Sequence, residues 1–264
     1  MLRDITVGQY YPTKSIIHKL DPRVKIGLTF LYLISLFVFH SFSSYIIVTI
    51  YLFFIISLSK VPLKYILRGL KPILFLLIFT AAFNIFWTPG DVLFSYSFIT
   101  ITSQGLRNAL FLAMRLIYLI LGSSLLTYTT GPNQLTNAIE SLLSPLKKLR
   151  VPVHEFAMMI SLALRFIPIL MEEANRIINA QSARGADFEE GNIFKRIKSL
   201  LSILIPLLVS AVNRAYDLAM AMEARCYNGG NKRTKMKPLV YKGRDFIALL
   251  LGAVYLSTVV LVHF

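Results

Sequence analysis

The chain has 264 residues, of which 56% are hydrophobic and only 16% are charged, yet its formal net charge is +15. This composition excludes an ordinary soluble enzyme, because several stretches lack any charged residue over the roughly 20 residues that a helix needs to cross a bilayer. The charges are concentrated instead: positions 131–244 hold 17 of the 28 Lys and Arg residues and 9 of the 13 Asp and Glu residues. The single cysteine, Cys226, allows neither an internal disulfide nor a thiolate cluster, and we expect no metal site and no cofactor.

The uncharged runs predict about five transmembrane helices. The first run, residues 26–59, would be about 50 Å long as one helix, whereas the hydrocarbon core is about 30 Å thick. We therefore expect two helices joined by a turn at residues 40–44. Pro and Gly stop a helix and Trp favours the membrane interface, so the next span should end at Trp87-Thr-Pro-Gly. The three later spans are expected at residues 72–90, 106–130 and 246–264.

The distribution of basic residues predicts a single orientation in the plasma membrane, because Lys and Arg are enriched in cytoplasmic loops. The N-terminal segment, residues 60–71 and residues 131–244 are basic, whereas residues 40–44 and 91–104 contain no Lys or Arg. The N-terminus and the 131–244 region are therefore expected in the cytoplasm. Arg115 lies toward the outer half of its span, and we expect it at the outer interface or between helices. A basic anchor is expected just before the last span, formed by Lys232, Arg233, Lys235 and Lys237.

Residues 131–244 are too apolar for a linker and too charged to span the membrane throughout. A short helix should end before Pro145, and longer helical patterns cover residues 153–184 and 197–225. The long helices are amphipathic, and we expect them along the inner leaflet. The expected fold is an all-α membrane protein with about five transmembrane helices plus long amphipathic cytoplasmic coupling helices. Its three parts are residues 1–130 with four spans, the coupling-helix region 131–244 and the C-terminal span 245–264.

Two features of the long helices suggest a face that contacts a partner. Pro168 should kink the first long helix, because proline removes one backbone hydrogen bond. In the second, Ala211, Ala215 and Ala219 are spaced four residues apart and form a smooth stripe that another helix can approach closely. Helix propensity alone is the alternative explanation of this stripe. We assign Pro168 and the three alanines to a coupling face.

Both long helices end in the same way. The first ends in Ala183-Arg184-Gly185 and the second in Ala224-Arg225-Cys226. A single Arg in the last turn needs no special role, because it complements the negative end of the helix dipole. Two such ends, 41 residues apart, suggest two equivalent docking points on another protein. The planar guanidinium pairs with carboxylates or carbonyls, and its small neighbours permit close approach.

Three segments, in order, carry a resemblance to a known family. Residues 15–25 read Ser-Ile-Ile-His-Lys-Leu-Asp-Pro-Arg-Val-Lys. Residues 163–168 read Ala-Leu-Arg-Phe-Ile-Pro, followed by acidic residues and by Ala-Gln-Ser-Ala-Arg-Gly at 180–185. Residues 214–225 read Arg-Ala-Tyr-Asp-Leu-Ala-Met-Ala-Met-Glu-Ala-Arg. With the spans around them, these segments closely resemble the transmembrane protein, or T component, of energy-coupling factor transporters, a family that includes the cobalt-transport Q subunit.

The resemblance implies a non-catalytic subunit that assembles with two cytoplasmic ATPase subunits and a small substrate-binding membrane protein, the S component. It implies that the paired motifs insert into grooves on the two ATPases, although Cys226 replaces the usual glycine. The coupling face would then serve the S component. The cargo, a vitamin or a cobalt or nickel ion, would be selected by that other subunit.

Two other functions fit the sequence less well. Glu172-Glu173 followed by Arg176 matches a pattern of intramembrane proteases, but the histidines lack the required spacing, and the ordinary interpretation is local pairing with Arg176. A stand-alone transporter would favour inverted repeats, which the sequence does not contain. The basic excess follows from the loops, so no nucleic acid partner is expected. The sequence has no phosphate-binding Gly-x-x-x-x-Gly-Lys motif, so the chain itself is not expected to hydrolyse ATP.

Overall fold

The computed structural model describes residues 10–38, 41–96, 99–185, 193–229, 236 and 238–263. The basic cluster expected at Lys232, Arg233, Lys235 and Lys237 lies outside these residues. Within them the chain forms an all-α membrane protein with one small β-hairpin. The helices are α1 (Pro22–Val38), α2 (Phe42–Ser59), α3 (Leu63–Arg68), α4 (Leu74–Trp87), α5 (Ser103–Thr129), α6 (Pro132–Leu142), α7 (Val153–Ala183), α8 (Ile193–Ala224) and α9 (Gly243–His263). Short 3₁₀ turns occupy Ile17–Lys19, Lys71–Ile73 and Ser144–Leu149.

The expected helix ends are confirmed where proline, glycine or chain length determines them. The first apolar run forms two helices, α1 and α2, as its length required. The α4 helix ends at Trp87, directly before the Thr-Pro-Gly stop. The α6 helix begins at Pro132, a favoured first helical position, and ends before Pro145. The two long patterns form α7 and α8, and each continues through an internal proline, Pro168 or Pro206.

The hairpin after α4 was not predicted. Strand β1 (Val92–Tyr96) pairs antiparallel with β2 (Ile99–Thr102). This segment is rich in β-branched and aromatic residues, which favour strands. Thr102 ends the hairpin and caps α5, because its Oγ1 accepts a hydrogen bond from the Gly105 N–H at 3.0 Å.

Six helical segments are long and apolar enough to cross a membrane by length and composition. Four of them correspond to predicted spans, and α1, with 17 residues, is a shorter fifth. The other two lie in α7 and α8. Length and composition do not by themselves place a helix relative to the membrane, so the placement of α7 and α8 along the inner leaflet stays a prediction. The six segments are Phe42–Ser59, Leu63–Trp87, Ser103–Thr129, Val153–Ala183, Ser199–Glu223 and Gly243–Val262.

The helices belong to two compact units, residues 8–138 with 239–264 (the bundle) and residues 139–238 (the pair unit). The bundle packs α1, α2, α5 and α9 around a core rich in tyrosine. Hydroxyl groups in this core bond to neighbouring helices, as a bilayer interior favours: the Tyr32 hydroxyl donates to the Tyr118 carbonyl at 3.0 Å, and Ser35 bonds the Tyr255 hydroxyl at 2.8 Å. Arg115 lies between helices, 3.5 Å from the Tyr45 hydroxyl.

Candidate functional site

The first arginine tip is a regular helix C-cap. Arg184 follows the last residue of α7, and its N–H donates to the Gln181 carbonyl at 3.0 Å. The Gly185 N–H donates to the Ser182 carbonyl at 2.9 Å. Gly185 has φ of +84°, the left-handed conformation that ends a Schellman-type cap and that glycine adopts without a steric penalty.

The second tip has the same backbone geometry, with a cysteine in place of the glycine. The Cys226 N–H donates to the Glu223 carbonyl at 2.8 Å, and the Tyr227 N–H donates to the Met222 carbonyl at 3.0 Å. These two bonds form a complete Schellman motif. Cys226 has φ of +56°, so it occupies the same left-handed position as the glycine of the first tip. Arg225, like Arg184, is the residue just before this turn.

All six residues of the two tips are exposed: Ala183, Arg184, Gly185, Ala224, Arg225 and Cys226. The guanidinium groups of Arg184 and Arg225 form no hydrogen bond or ion pair with any residue that the structure describes. Within the described part of the chain, the five donors of each guanidinium are therefore available to another protein.

The helices α7 and α8 pack against each other in antiparallel directions. Gln181 lies near the end of α7 and donates to the Ser202 carbonyl, early in α8, at 3.5 Å. Further back along α7, Glu173 accepts a hydrogen bond from Arg214 at 3.1 Å. Earlier residues of α7 therefore contact later residues of α8, as in an antiparallel pair. The two tips consequently lie at opposite ends of the pair.

The Glu173–Arg214 ion pair lies midway between the tips. Arg184 follows Glu173 by eleven residues, and Arg225 follows Arg214 by eleven. At about 1.5 Å per residue each tip is about 16 Å from the ion pair, so the two arginines are about 30 Å apart along the pair. The sequence interpretation that Glu173 pairs with Arg176 is wrong. Its partner is on the neighbouring helix, and a contact between residues 41 positions apart leaves no local signal.

The predicted coupling face is largely accessible. Pro168, Ala215 and Ala219 are exposed, and Ala211 is half-buried. The described side chains of α8 include none that is buried. A broad apolar surface therefore lies uncovered, and a surface of this kind marks contact with a protein or a membrane. It includes Leu200, Leu204, Leu208, Val212, Tyr216 and Met220.

Residues 15–25, the first segment of the family resemblance, form a set of contacts named the clamp, which joins the start of α1 to the end of α5. Ser15 Oγ lies 2.7 Å from His18 Nδ1, and His18 Nε2 lies 3.0 Å from the Tyr11 carbonyl. Burial lowers the pKa of His18 below its ordinary value, and the nearby Lys25 charge acts in the same direction, while the hydrogen bond to Tyr11 opposes both. The Lys25 ammonium donates to the Thr129 carbonyl at 2.9 Å, at the C-terminal end of α5.

Asp245 completes this clamp and was not found from the sequence. Its carboxylate accepts the Asp21 N–H at 2.8 Å and the Lys242 N–H at 2.7 Å, and only 1% of Asp245 is exposed. Burial disfavours ionisation of Asp21, but its hydrogen bonds and ion pair with Arg23 (2.9 Å) outweigh this and hold the pKa of Asp21 below its ordinary value. One sequence signal could have identified Asp245: it is an acidic residue three positions after the helix N-cap residue Lys242, as in a capping box.

The described acidic residues and His154 are not arranged as a protease site. His154 Nδ1 lies 2.9 Å from Glu140, and Glu173 pairs with Arg214. Across the described ranges, no group of three or more His, Cys, Asp or Glu residues is placed to hold a metal ion.

Comparison with known proteins confirms the family resemblance. Residues 13–236 match the family model described as cobalt transport protein. The chain is 52% identical over 256 residues to the energy-coupling factor transporter transmembrane protein of Clostridium kluyveri, covering 96% of this chain and 95% of that protein. It is 48% identical over 264 residues to that of Ruminiclostridium cellulolyticum (100% and 99%) and 43% identical over 246 residues to that of Bacillus subtilis (93% and 93%). The chain is thus a multi-pass membrane protein that belongs to the family of energy-coupling factor transporter transmembrane proteins.

Proposed function

We propose that this chain is the non-catalytic scaffold of an ATP-driven importer for a vitamin or a cobalt or nickel ion. It couples ATP hydrolysis by two cytoplasmic ATPase subunits to the movement of a substrate-binding S component. The observation that carries the proposal is the pair of exposed arginine tips, Arg184 and Arg225, each followed by a residue with positive φ, at opposite ends of the pair formed by α7 and α8. The proposed orientation rests on the basic loops, because Lys and Arg are enriched on the cytoplasmic side. It places the chain in the plasma membrane with the N-terminus and residues 131–244 in the cytoplasm.

Each tip docks in a groove of one ATPase subunit. The arginine fork pairs with carboxylates or carbonyls in that groove. The small residues on either side let the backbone approach closely: Ala183 and Gly185 at one tip, Ala224 and Cys226 at the other. A separation of about 30 Å along the helix pair allows two subunits to bind without competing for one surface.

ATP binding brings the two ATPase subunits together, and hydrolysis lets them separate. Because each subunit holds one end of an antiparallel pair, this motion changes the angle between α7 and α8. The Glu173–Arg214 contact lies midway and acts as the pivot. The S component rests on the uncovered apolar face of the pair and tilts with it, so the scaffold itself needs no substrate site.

Replacement of each tip arginine tests the proposal. Arg184→Ala and Arg225→Ala should each weaken docking by about 2–5 kcal/mol, the loss typical of one partner of a buried charged hydrogen bond. Co-purification of the ATPase subunits and transport-coupled ATP hydrolysis should both fall, and the double variant should lose both.

Arg176→Ala is the matched control, because Arg176 is an exposed arginine on α7 about two turns before the tip. It should co-purify and hydrolyse ATP like the unmodified chain. Unchanged co-purification and hydrolysis in the double tip variant would contradict the proposal.

A further inference from the structure

A cavity of about 390 Å³ lies among α1, α2, α5 and α9 of the bundle, and none of the roles above uses it. Leucine and isoleucine side chains form most of its wall. The volume is within the usual range of ligand sites, about 300–1,000 Å³. The end of the cavity where α1 and α9 begin and α2 and α5 end carries the charged lining residues and is named its mouth. The residues at that level are Lys25, Leu58, Thr129 and Arg244.

The cavity is a shaft that follows the helix axes. Its deeper residues are Tyr32, Tyr51, Gly122 and Leu251, and each is seven residues along its helix from the residue at the mouth. Seven helical residues rise about 10 Å, which is about a third of a hydrocarbon core 30 Å thick. At this inner end the ring of Tyr51 stacks on Tyr255 with centroids 4.1 Å apart. The shaft therefore lies within a single leaflet.

The mouth carries positive charge that the described part of the chain does not neutralise. Arg244 lines it without a hydrogen bond or ion pair to any described residue. Two acids, Asp21 and Asp245, face three cations, Arg23, Lys25 and Arg244, so one positive charge is left over at this end. Two exposed cations belong to the same helix-end region: Lys14 and Lys19.

We propose that this shaft holds one acyl chain of an anionic phospholipid whose phosphate binds Arg244. An apolar shaft inside one leaflet favours a hydrocarbon chain over an aqueous solute. Basic groups between membrane helices at the cytoplasmic face select anionic headgroups, and the proposed orientation puts the mouth at that face. Three side chains of the cavity wall are apolar and also exposed, which gives a hydrocarbon chain a route from the bilayer into the shaft: Ile16, Phe54 and Ile247. Binding of this lipid does not depend on the ATPase subunits.

Photo-crosslinking of the full chain in phosphatidylcholine vesicles tests the site. The probe is phosphatidylglycerol with a diazirine in the middle of one acyl chain, and peptide mass spectrometry maps the adducts. Adducts are expected on shaft residues such as Leu28 and Ala248. The same diazirine on phosphatidylcholine should label only bilayer-facing side chains such as Phe53 and Leu250. Equal shaft labelling by both lipids, or none by phosphatidylglycerol, would overturn the proposal.

Three variants locate the contact. Arg244→Gln should lower shaft adducts about fivefold, the factor expected for one cation near an anionic surface. Lys242→Gln removes an exposed cation that does not line the cavity, and its labelling should not change. Ala248→Phe should fill the shaft and abolish its adducts, while unchanged adducts on Phe53 report an intact bundle. Undiminished labelling of Arg244→Gln, or an equal loss in Lys242→Gln, would show that Arg244 does not bind the phosphate.

Discussion

Cys226 holds its backbone in the left-handed region, with φ of +56°, where glycine is ordinarily favoured. A side chain at such a position costs roughly 1–2 kcal/mol. The cysteine is small and exposed, and the Schellman hydrogen bonds around it compensate part of this cost. The departure from glycine therefore leaves the shape of the tip unchanged, and Arg225 is presented as Arg184 is.

Substitution of Cys226 tests this geometry. Cys226→Gly should keep ATPase co-purification and raise stability by about 1 kcal/mol, because glycine removes the left-handed penalty. Cys226→Val should lose about 1 kcal/mol or more and weaken docking, since a β-branched residue tolerates positive φ poorly. Thermal unfolding in detergent and co-purification measure the two effects.

Ala224→Val provides the control for stability, because Ala224 is the last residue of α8 and lies two positions before Cys226. It should change stability less than Cys226→Val does. The geometric argument fails if valine is tolerated at position 226 as well as at position 224.

At the scale of elements, the antiparallel pair of α7 and α8 sets where the tips are. The Glu173 and Arg214 side chains are partly exposed, so their ion pair adds no more than about 1 kcal/mol to stability. Its value is positional, since it fixes which turns of the two helices meet. For the proposed pivot, the position of this contact matters more than its contribution to stability.

Charge reversal tests the pivot. Glu173→Arg or Arg214→Glu alone places like charges together and should lower transport-coupled ATP hydrolysis. The double variant Glu173→Arg with Arg214→Glu restores an opposite pair and should recover most of the hydrolysis. A double-mutant cycle measures the coupling between the two sites.

Glu172→Arg is the control for these reversals. Glu172 is exposed, and it neighbours Glu173 on the same helix. Its reversal should leave hydrolysis near the unmodified level. A double variant no better than either single reversal would eliminate the pivot.

Element boundaries were predictable where a local stop or cap set them. Trp87-Thr-Pro-Gly ended α4, and the proline after α6 ended that helix. The β1–β2 hairpin was missed because its two strands have five and four residues. Runs this short give no periodic signal that separates a strand from a loop.

At the scale of the whole molecule, the orientation in the membrane can be read through the single cysteine. Cys226 is exposed, and the proposed topology places it in the cytoplasm. A membrane-impermeant maleimide should therefore label it in inside-out vesicles and leave it unlabelled in right-side-out vesicles. Labelling is followed by mass spectrometry.

An opposite result is expected for the outer loop. Asp91→Cys in a Cys226→Ala background puts the thiol at an exposed position in the segment without Lys or Arg. It should be labelled only in right-side-out vesicles. Labelling of Cys226 from the outside would reverse the topology and remove the basis for docking cytoplasmic ATPases.

The sequence by itself determined the helix spans, the expected orientation and the two tip motifs, because apolar runs, basic loops and helix caps are local in the chain. Only the tertiary structure decided that Glu173 contacts Arg214, that Asp245 holds the N–H of Asp21, and that the two tips lie at opposite ends of one pair. Those partners are 41 and 224 residues apart in the chain. Contacts at such separations depend on which helix faces pack together, and no pattern of neighbouring residues records that choice.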